Sequence, residues 1–254
     1  MDVRRDSPAH SQPRATSWPR RTVLGSLPEK TREALLALGV PREFAVGSTL
    51  MMEGDRASDV MVLIDGWVKV VGVTDEGGLA LLAFRSGGDI VGEQSALENQ
   101  PRSASVISAG ATLVHVIGQQ EFLRFLAGSP EASLGVSRAL SAKLRWATRR
   151  RIDFSGLPVR VRVARVLSEL ARLDGKAVSS GIEFGYTLTQ PELAAMVGAS
   201  EPSVHKTLRQ LRSDGVITTG YRRLMISDQA ALDAIARPAS LAVSPGQRSE
   251  GDAR

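Results

Sequence analysis

Cysteine is absent from the 254-residue chain. Disulfides, iron–sulfur clusters and thiolate metal sites are therefore excluded. Histidine is nearly absent: His10, His115 and His205 stand far apart, and a metal centre built on them would need donors from distant ends of the chain. No metal, haem or covalently held cofactor is expected. Aromatic residues make up 4% of the sequence, so Leu, Val, Ile and Ala must fill any core. No apolar run approaches the roughly 18 residues of a membrane-spanning helix. Arg4 and Arg5 are not followed by the apolar stretch of a secretory signal. A cytoplasmic protein with no membrane partner is the expectation.

What is present is ordinary in amount. Hydrophobic residues make up 43% and charged residues 23%, as in soluble globular proteins. The length suits two small domains or one large one. Lys and Arg number 32 against 27 Asp and Glu, a net charge of +5. That balance favours polyanionic partners, chiefly nucleic acid.

Residues 1–21 are rich in Arg, Ser and Pro without periodicity and read as a disordered basic tail. Ser26 to Leu38 reads as a short helix, with capping-box spacing from Ser26 to Glu29 and Gly39 closing it. Over residues 42–127 the period drops to two. Val60, Val62 and Ile64 alternate, as do Val68 and Val70, and Leu79, Leu81 and Ala83, with glycine turns between the runs. Many short strands with regular turns indicate an antiparallel barrel or jelly roll.

Ser129-Pro130-Glu131 opens a long helix. Ser133, Ser137, Leu140, Leu144, Ala147, Arg151 and Phe154 step along it by four and three. That 3.5-residue seam is what a helix pairing with its own copy requires; the alternative is a helix packed only on its own barrel. Phe154 to Pro158 breaks the helix and marks a hinge. A packing helix follows over Val159 to Leu173, with Val163, Val166, Leu167 and Leu170 on one face.

Thr187 to Ile217 carries the sharpest local chemistry. Thr189 and Glu192 have capping-box spacing, and Leu193, Ala194 and Val197 share one helical face. Gly198 suits a left-handed helix end. Ser200 is placed to cap a second helix, with Pro202 in its first turn. Val204, Leu208 and Leu211 form its apolar stripe, leaving His205, Lys206, Arg209 and Arg212 off it. A helix pair with a basic outer face fits the DNA major groove. Val216 to Ile226 alternates around Gly220 and reads as a β-hairpin wing.

Two stretches carry a family resemblance. LMMEGDRASDVMVLIDGWVKV (50–70) is similar to the first cyclic-nucleotide-binding signature, and GGDIVGEQSALENQPRSASV (87–106) to the phosphate-binding cassette of the same domain. With the winged helix downstream, the chain resembles the cyclic-AMP receptor protein and fumarate–nitrate reduction regulator (Crp/Fnr) family of bacterial transcription factors, over roughly residues 24–236. The expected α+β architecture is a jelly-roll effector domain (22–128), a dimerisation helix (129–155) and a winged helix-turn-helix domain (156–237). Tails occupy 1–21 and 238–254.

In the cassette, Arg102 can fork onto phosphate oxygens and Ser103 can donate a hydroxyl. Glu93, after Gly92, can accept from a ribose 2′-hydroxyl. A ligand-free Arg102–Glu93 ion pair is the alternative. Gln94 departs from the Leu or Met usual in the family. The resemblance further implies that a Thr-Ser pair reaches adenine across the dimer; Ala147 and Thr148 stand there, so one hydroxyl is lost. Cyclic AMP, cyclic GMP, another small anion or no ligand all remain open. The dimer contacts expected are Leu140, Leu144, Ala147, Arg151 and Phe154.

The candidate DNA contacts are Ser200, Ser203, His205, Lys206 and Arg209 on the second helix, with Thr189, Gln190, Arg222 and Arg223 for phosphates. Glu201 and Pro202 replace the Arg-Glu that relatives carry, so the family's operator does not transfer. The reading is a homodimeric, non-enzymatic regulator on palindromic double-stranded DNA, with RNA polymerase as a further partner. A jelly-roll metal enzyme is disfavoured because His115 stands alone in the barrel. An effector-independent regulator and a nucleotide-sensing module without DNA are the rivals.

Overall fold

The computed structural model describes residues 18–73, 78–220 and 223–237. Two short helices lead in: α1 (Val23–Ser26) and α2 (Glu29–Ala37). The helix expected over Ser26–Leu38 is α2, begun three residues later, with Ser26 belonging to α1. Thr22, not Ser26, provides a cap, its hydroxyl accepting from the Gly25 N–H at 3.2 Å. Ser26 instead donates to the Val23 carbonyl at 2.9 Å, and Pro28 occupies the N-cap of α2 with no side-chain bond. Ser26 lies inside the last turn of α1, so its hydroxyl already has an acceptor and no capping box forms.

The barrel contains β1 (Val40–Phe44), β2 (Thr49–Met51), β3 (Val60–Asp65), β4 (Trp67–Val73), β5 (Leu79–Ser86) and β6 (Ile90–Val91). After α3 (Glu93–Glu98) come β7 (Ser105–Ser108), β8 (Thr112–Ile117) and α4 (Gln119–Gly128). Two antiparallel four-stranded sheets form, ordered β1-β8-β3-β6 and β2-β7-β4-β5. β3 is buried from Val60 through Ile64, because α1 and α4 cover the face that alternation alone would leave wet.

α5 (Pro130–Gly156) starts at Ser129, whose hydroxyl accepts from the Ala132 N–H. α6 (Val159–Asp174) opens the C-terminal unit and buries Val163, Val166, Leu167 and Leu170. β9 (Gly175–Val178) and β10 (Gly181–Phe184) form a hairpin that the sequence reading did not identify. α7 (Gln190–Val197), α8 (Glu201–Ser213), β11 (Ile217–Gly220), β12 (Arg223–Ile226) and α9 (Gln229–Ala236) follow. The small sheet runs β11-β12-β10-β9.

Barrel and C-terminal unit share one apolar core. Val71, Leu81 and Phe84 of the barrel join Leu167, Leu193 and Val197. Tyr186 stacks on Phe84 with centroids 3.9 Å apart and lies 4.9 Å from the Trp67 ring. Polar bonds reinforce the junction. Lys69 of β4 pairs with Glu192 of α7, and Arg165 of α6 donates to Asp153 of α5 at 2.5 Å.

α9 is pinned to α6 through Asp233, which accepts from Ser168, from Arg172 at 2.7 Å and from Gln229 at 2.9 Å. Burial works against the charge, but these hydrogen bonds prevail and hold the carboxyl below the ordinary aspartate range. A depressed carboxylate contributes stability that is present above the unfolded value, near pH 4, and is lost as pH falls through the lower folded value. Asp233→Asn is therefore expected to lower the urea midpoint at pH 7 and to leave it nearly unchanged at pH 2. Tyr186→Ala removes the ring at the centre of the junction. It is expected to cost about 3–5 kcal/mol in urea denaturation, the range for large buried aromatics.

Candidate effector pocket and nucleic-acid interface

A cavity of about 550 Å³ opens between the barrel and α5. Gly92 caps α3 in the left-handed region, at φ 83°. A Cβ there would stand 2.5 Å from Arg102 Nη1 and 2.9 Å from the Asp59 carbonyl, so glycine is what lets the arginine in. Arg102 is 4% exposed. Its Nη1 donates to the Gly92 carbonyl at 3.0 Å and to Ser95 Oγ at 2.6 Å. Its Nη2 donates to the Asp59 carbonyl at 2.6 Å and to Asp59 Oδ1 at 2.9 Å. Both Nη groups are thus fully engaged by the protein.

Glu93 is also buried, and it does not pair with Arg102. It accepts from Lys143 Nζ of α5 at 2.7 Å, and the same ammonium donates to the Ile90 carbonyl at 2.9 Å. Burial lowers the Lys143 pKa below the ordinary lysine range, and the Glu93 charge opposes that shift. Ser103 Oγ donates to Gln94 Oε1 at 3.2 Å. The ion pair that the sequence offered as the ligand-free alternative is thus replaced by two pairs, Arg102–Asp59 and Glu93–Lys143.

The cavity brings together Gly92, Glu93, Gln94, Arg102, Ser103 and Ala147. Thr148, one position further along, is exposed and does not line it in the single chain. Sequence reasoning missed Asp59, Ser95, Lys143 and Trp146. One signal was available for Lys143. It continues the spacing of Ala132, Val136 and Ala139 along the inward face of α5, and a lysine on such a stripe needs a buried acid.

α5 turns Lys143, Trp146, Arg150 and Asp153 inward. It leaves Leu134, Leu144 and Ile152 at 50%, 68% and 57% exposure. Among the expected dimer contacts, Leu144, Ala147 and Arg151 are exposed and Leu140 is half-buried beside the cavity. Phe154 is also exposed, at 44%, and meets its own chain as well. An added Cβ at Gly198 would lie 3.2 Å from its ring, and the Arg162 guanidinium stands 5.8 Å from the ring centroid.

In the C-terminal unit Thr189 and Glu192 form a complete capping box, and Gly198 ends α7 at φ 58° and ψ 50°. Ser200 takes the N-cap position of α8, but its hydroxyl bonds Ser203 Oγ at 2.9 Å rather than a backbone N–H. Pro202 sits in the first turn. His205, Lys206 and Arg209 are exposed and hold no hydrogen bond or ion pair among the described residues. Arg223 is paired with Glu183 across the small sheet, and Arg222 lies outside the described residues. Gln190 is exposed. Thr189 instead borders a cleft between α7 and the barrel.

Residues 41–129 match the cyclic nucleotide-binding domain family and residues 161–235 the Crp-like helix-turn-helix domain family. The chain is 29% identical over 197 residues to the CRP-like cAMP-activated global transcriptional regulator of Mycobacterium tuberculosis, covering 78% of this chain and 88% of the relative. It is 26% identical over 180 residues to the cAMP-activated global transcriptional regulator CRP of Pasteurella multocida, covering 70% and 86%. A CRP-family transcriptional regulator of Thermus thermophilus superposes with a TM-score of 0.65 at 29% identity, over 77% of this chain and 96% of the other. The c-di-GMP responsive global regulator of Xanthomonas campestris, at 22% identity and a TM-score of 0.67, shares the fold over 79% of this chain and 100% of its own. Both units match in the expected order, and relatives of the same make-up cover most of the chain: it belongs to the Crp/Fnr family of bacterial transcription regulators.

Proposed function

We propose that this chain is a homodimeric, sequence-specific DNA-binding regulator whose barrel takes a cyclic nucleotide or a similar small anion. One observation carries the reading. α8 presents His205, Lys206 and Arg209 to solvent with no hydrogen bond or ion pair among the described residues, on a helix pair next to a hairpin. Cations held open in this way are suited to phosphates and base edges. Ser203 shares α8 with them, and Gln190 is exposed at the start of α7. The outward apolar positions of α5, Leu144 above all, support pairing of two chains along the helix. Two readers then face half-sites of a palindromic operator about 34 Å apart. Promoter-bound RNA polymerase is the natural further partner, and the cytoplasm the compartment.

The effector site is the cavity around Arg102. An entering phosphate that engages the Nη2 group must displace Asp59, because both Nη groups already have their acceptors. A 2′-hydroxyl would likewise share Glu93 with Lys143. Ala147 supplies no hydrogen bond to a base, a loss of about 1 kcal/mol against a hydroxyl. These contacts favour a weak-binding, easily exchanged effector. They also favour a second reading, in which the self-paired cassette works as a fixed structural element and DNA binding needs no effector.

Calorimetry with cyclic AMP and cyclic GMP separates the two. Binding that disappears in Arg102→Ala supports the effector site; no heat with either nucleotide, alongside retained specific DNA binding, favours the second reading. Lys206→Ala and Arg209→Ala are each expected to weaken operator binding and to reduce the slope of log affinity against log salt by about 1 if the lost contact is to phosphate. Leu144→Glu is expected to shift the chain toward monomer in sedimentation at micromolar concentration, while the far-ultraviolet circular dichroism stays unchanged. A variant that remains fully dimeric would count against the seam.

A further inference from the structure

A second cavity, of about 370 Å³, opens where the barrel, α5 and α6 meet. Phe84 and Arg85 of β5 form one wall, Arg145, Trp146 and Arg149 of α5 another, and Leu170 of α6 the third. Cations dominate it. Arg145 and Arg149 are exposed and hold no hydrogen bond or ion pair among the described residues. Arg85 donates to the neighbouring Phe84 carbonyl at 2.7 Å, and Arg21 stands at the rim. Lys143 reaches the same cavity from α5 but is committed to Glu93.

Two acids also border it, and both are moderated. Burial pushes the carboxyl of Asp89 above its ordinary range, against the pull of Arg85 and Lys143. Glu169 is shifted the same way by burial, and its charge is matched by Arg150 at 2.9 Å. The remaining lining is Thr22 together with the apolar Ala83, Ala139, Ala142 and Leu173.

We propose that this second cavity binds a nucleoside polyphosphate, with the guanidinium groups of Arg85, Arg145 and Arg149 on the phosphates and the flat ring against Trp146. Guanidinium forks match phosphate oxygens in pairs and do so better than isolated ammonium groups. Three clustered arginines repel one another, and a polyanion removes that repulsion. An indole accepts a planar ring on its face; the Arg150 guanidinium, 5.4 Å from the Trp146 centroid, already stands over one face, so the ring takes the other. The volume falls within the range of small-molecule sites.

At 100° per residue, Ala142, Arg145 and Arg149 lie roughly 160° around α5 from Leu140, Leu144, Ala147 and Arg151. Pairing of two chains along that seam therefore leaves this cavity open. One wall belongs to α6, so the ligand also stabilises this placement of the helix-turn-helix unit over any other. The site does not depend on the first cavity holding a cyclic nucleotide.

Because Trp146 borders both cavities, the test must separate them. The full-length chain is titrated with ATP, with tripolyphosphate and with cyclic AMP, by calorimetry in about 150 mM salt, near physiological ionic strength. ATP is expected to bind the unaltered chain and Arg102→Ala equally. In Arg145→Ala/Arg149→Ala, both at exposed positions, ATP affinity is expected to fall at least tenfold. ATP should quench tryptophan emission in the unaltered chain and not in Trp146→Phe, and tripolyphosphate should bind more weakly than ATP. The proposal is overturned if ATP gives no heat at millimolar concentration. It is also overturned if the double variant binds ATP as tightly as the unaltered chain, or if Arg102→Ala abolishes ATP binding and so places the phosphates in the first cavity.

Discussion

The structure depends on one geometrical constraint: a single helix must serve three neighbours. α5 is 27 residues long, about 40 Å at 1.5 Å per residue. Its first turns close the barrel through Ala132 and Val136, its middle supplies Lys143 to the cassette, and its last turns hold α6 through Arg150 and Asp153. The inward residues follow one stripe, and the opposite side stays free for another chain. Rotation of the helix by one residue would expose Lys143 and bury Leu144, so the register of the stripe fixes both the pocket and the outward face.

Within the pocket, burial sets the terms. Arg102 and Glu93 are both almost inaccessible, and isolated charges there would be strongly disfavoured. Each has acquired its own partner, from β3's leading loop in one case and from α5 in the other. The pairs keep the site folded without a ligand. They also mean that a ligand reaching the Nη groups of Arg102, or Glu93, enters by exchange of partners. The two cavities differ in this respect: the arginines along the outer flank of α5 are not committed in the same way.

Legibility in the sequence followed the range of the interactions. The helix pair was readable because its chemistry is local: Thr189 with Glu192, Gly198 at a left-handed end, Pro202 in a first turn. The barrel was readable from alternation and glycine spacing, and Gly92, Glu93, Arg102 and Ser103 from the cassette. The partners of those residues were not. Asp59 is 43 residues from Arg102 and Lys143 is 50 residues from Glu93, and no local pattern connects them. The start of the leading helix was misplaced for the opposite reason. Two hydroxyls, Thr22 and Ser26, compete within one short stretch, and the one nearer the apolar run was already used inside α1. The β9–β10 hairpin is short, with β9 mostly exposed and β10 half-buried throughout up to Phe184, so it left almost no alternation to detect.

Glu192 holds two positions at once. Its carboxylate completes the cap of α7 by accepting from the Thr189 N–H at 2.9 Å, and it also ties that helix to Lys69 of the barrel. The cap of α7 and its polar tie to the barrel therefore rest on one side chain. A substitution that keeps the cap but removes the charge, such as glutamine, would loosen the attachment alone; alanine would disturb both. Any other change there therefore acts on the attachment and on the local fold together.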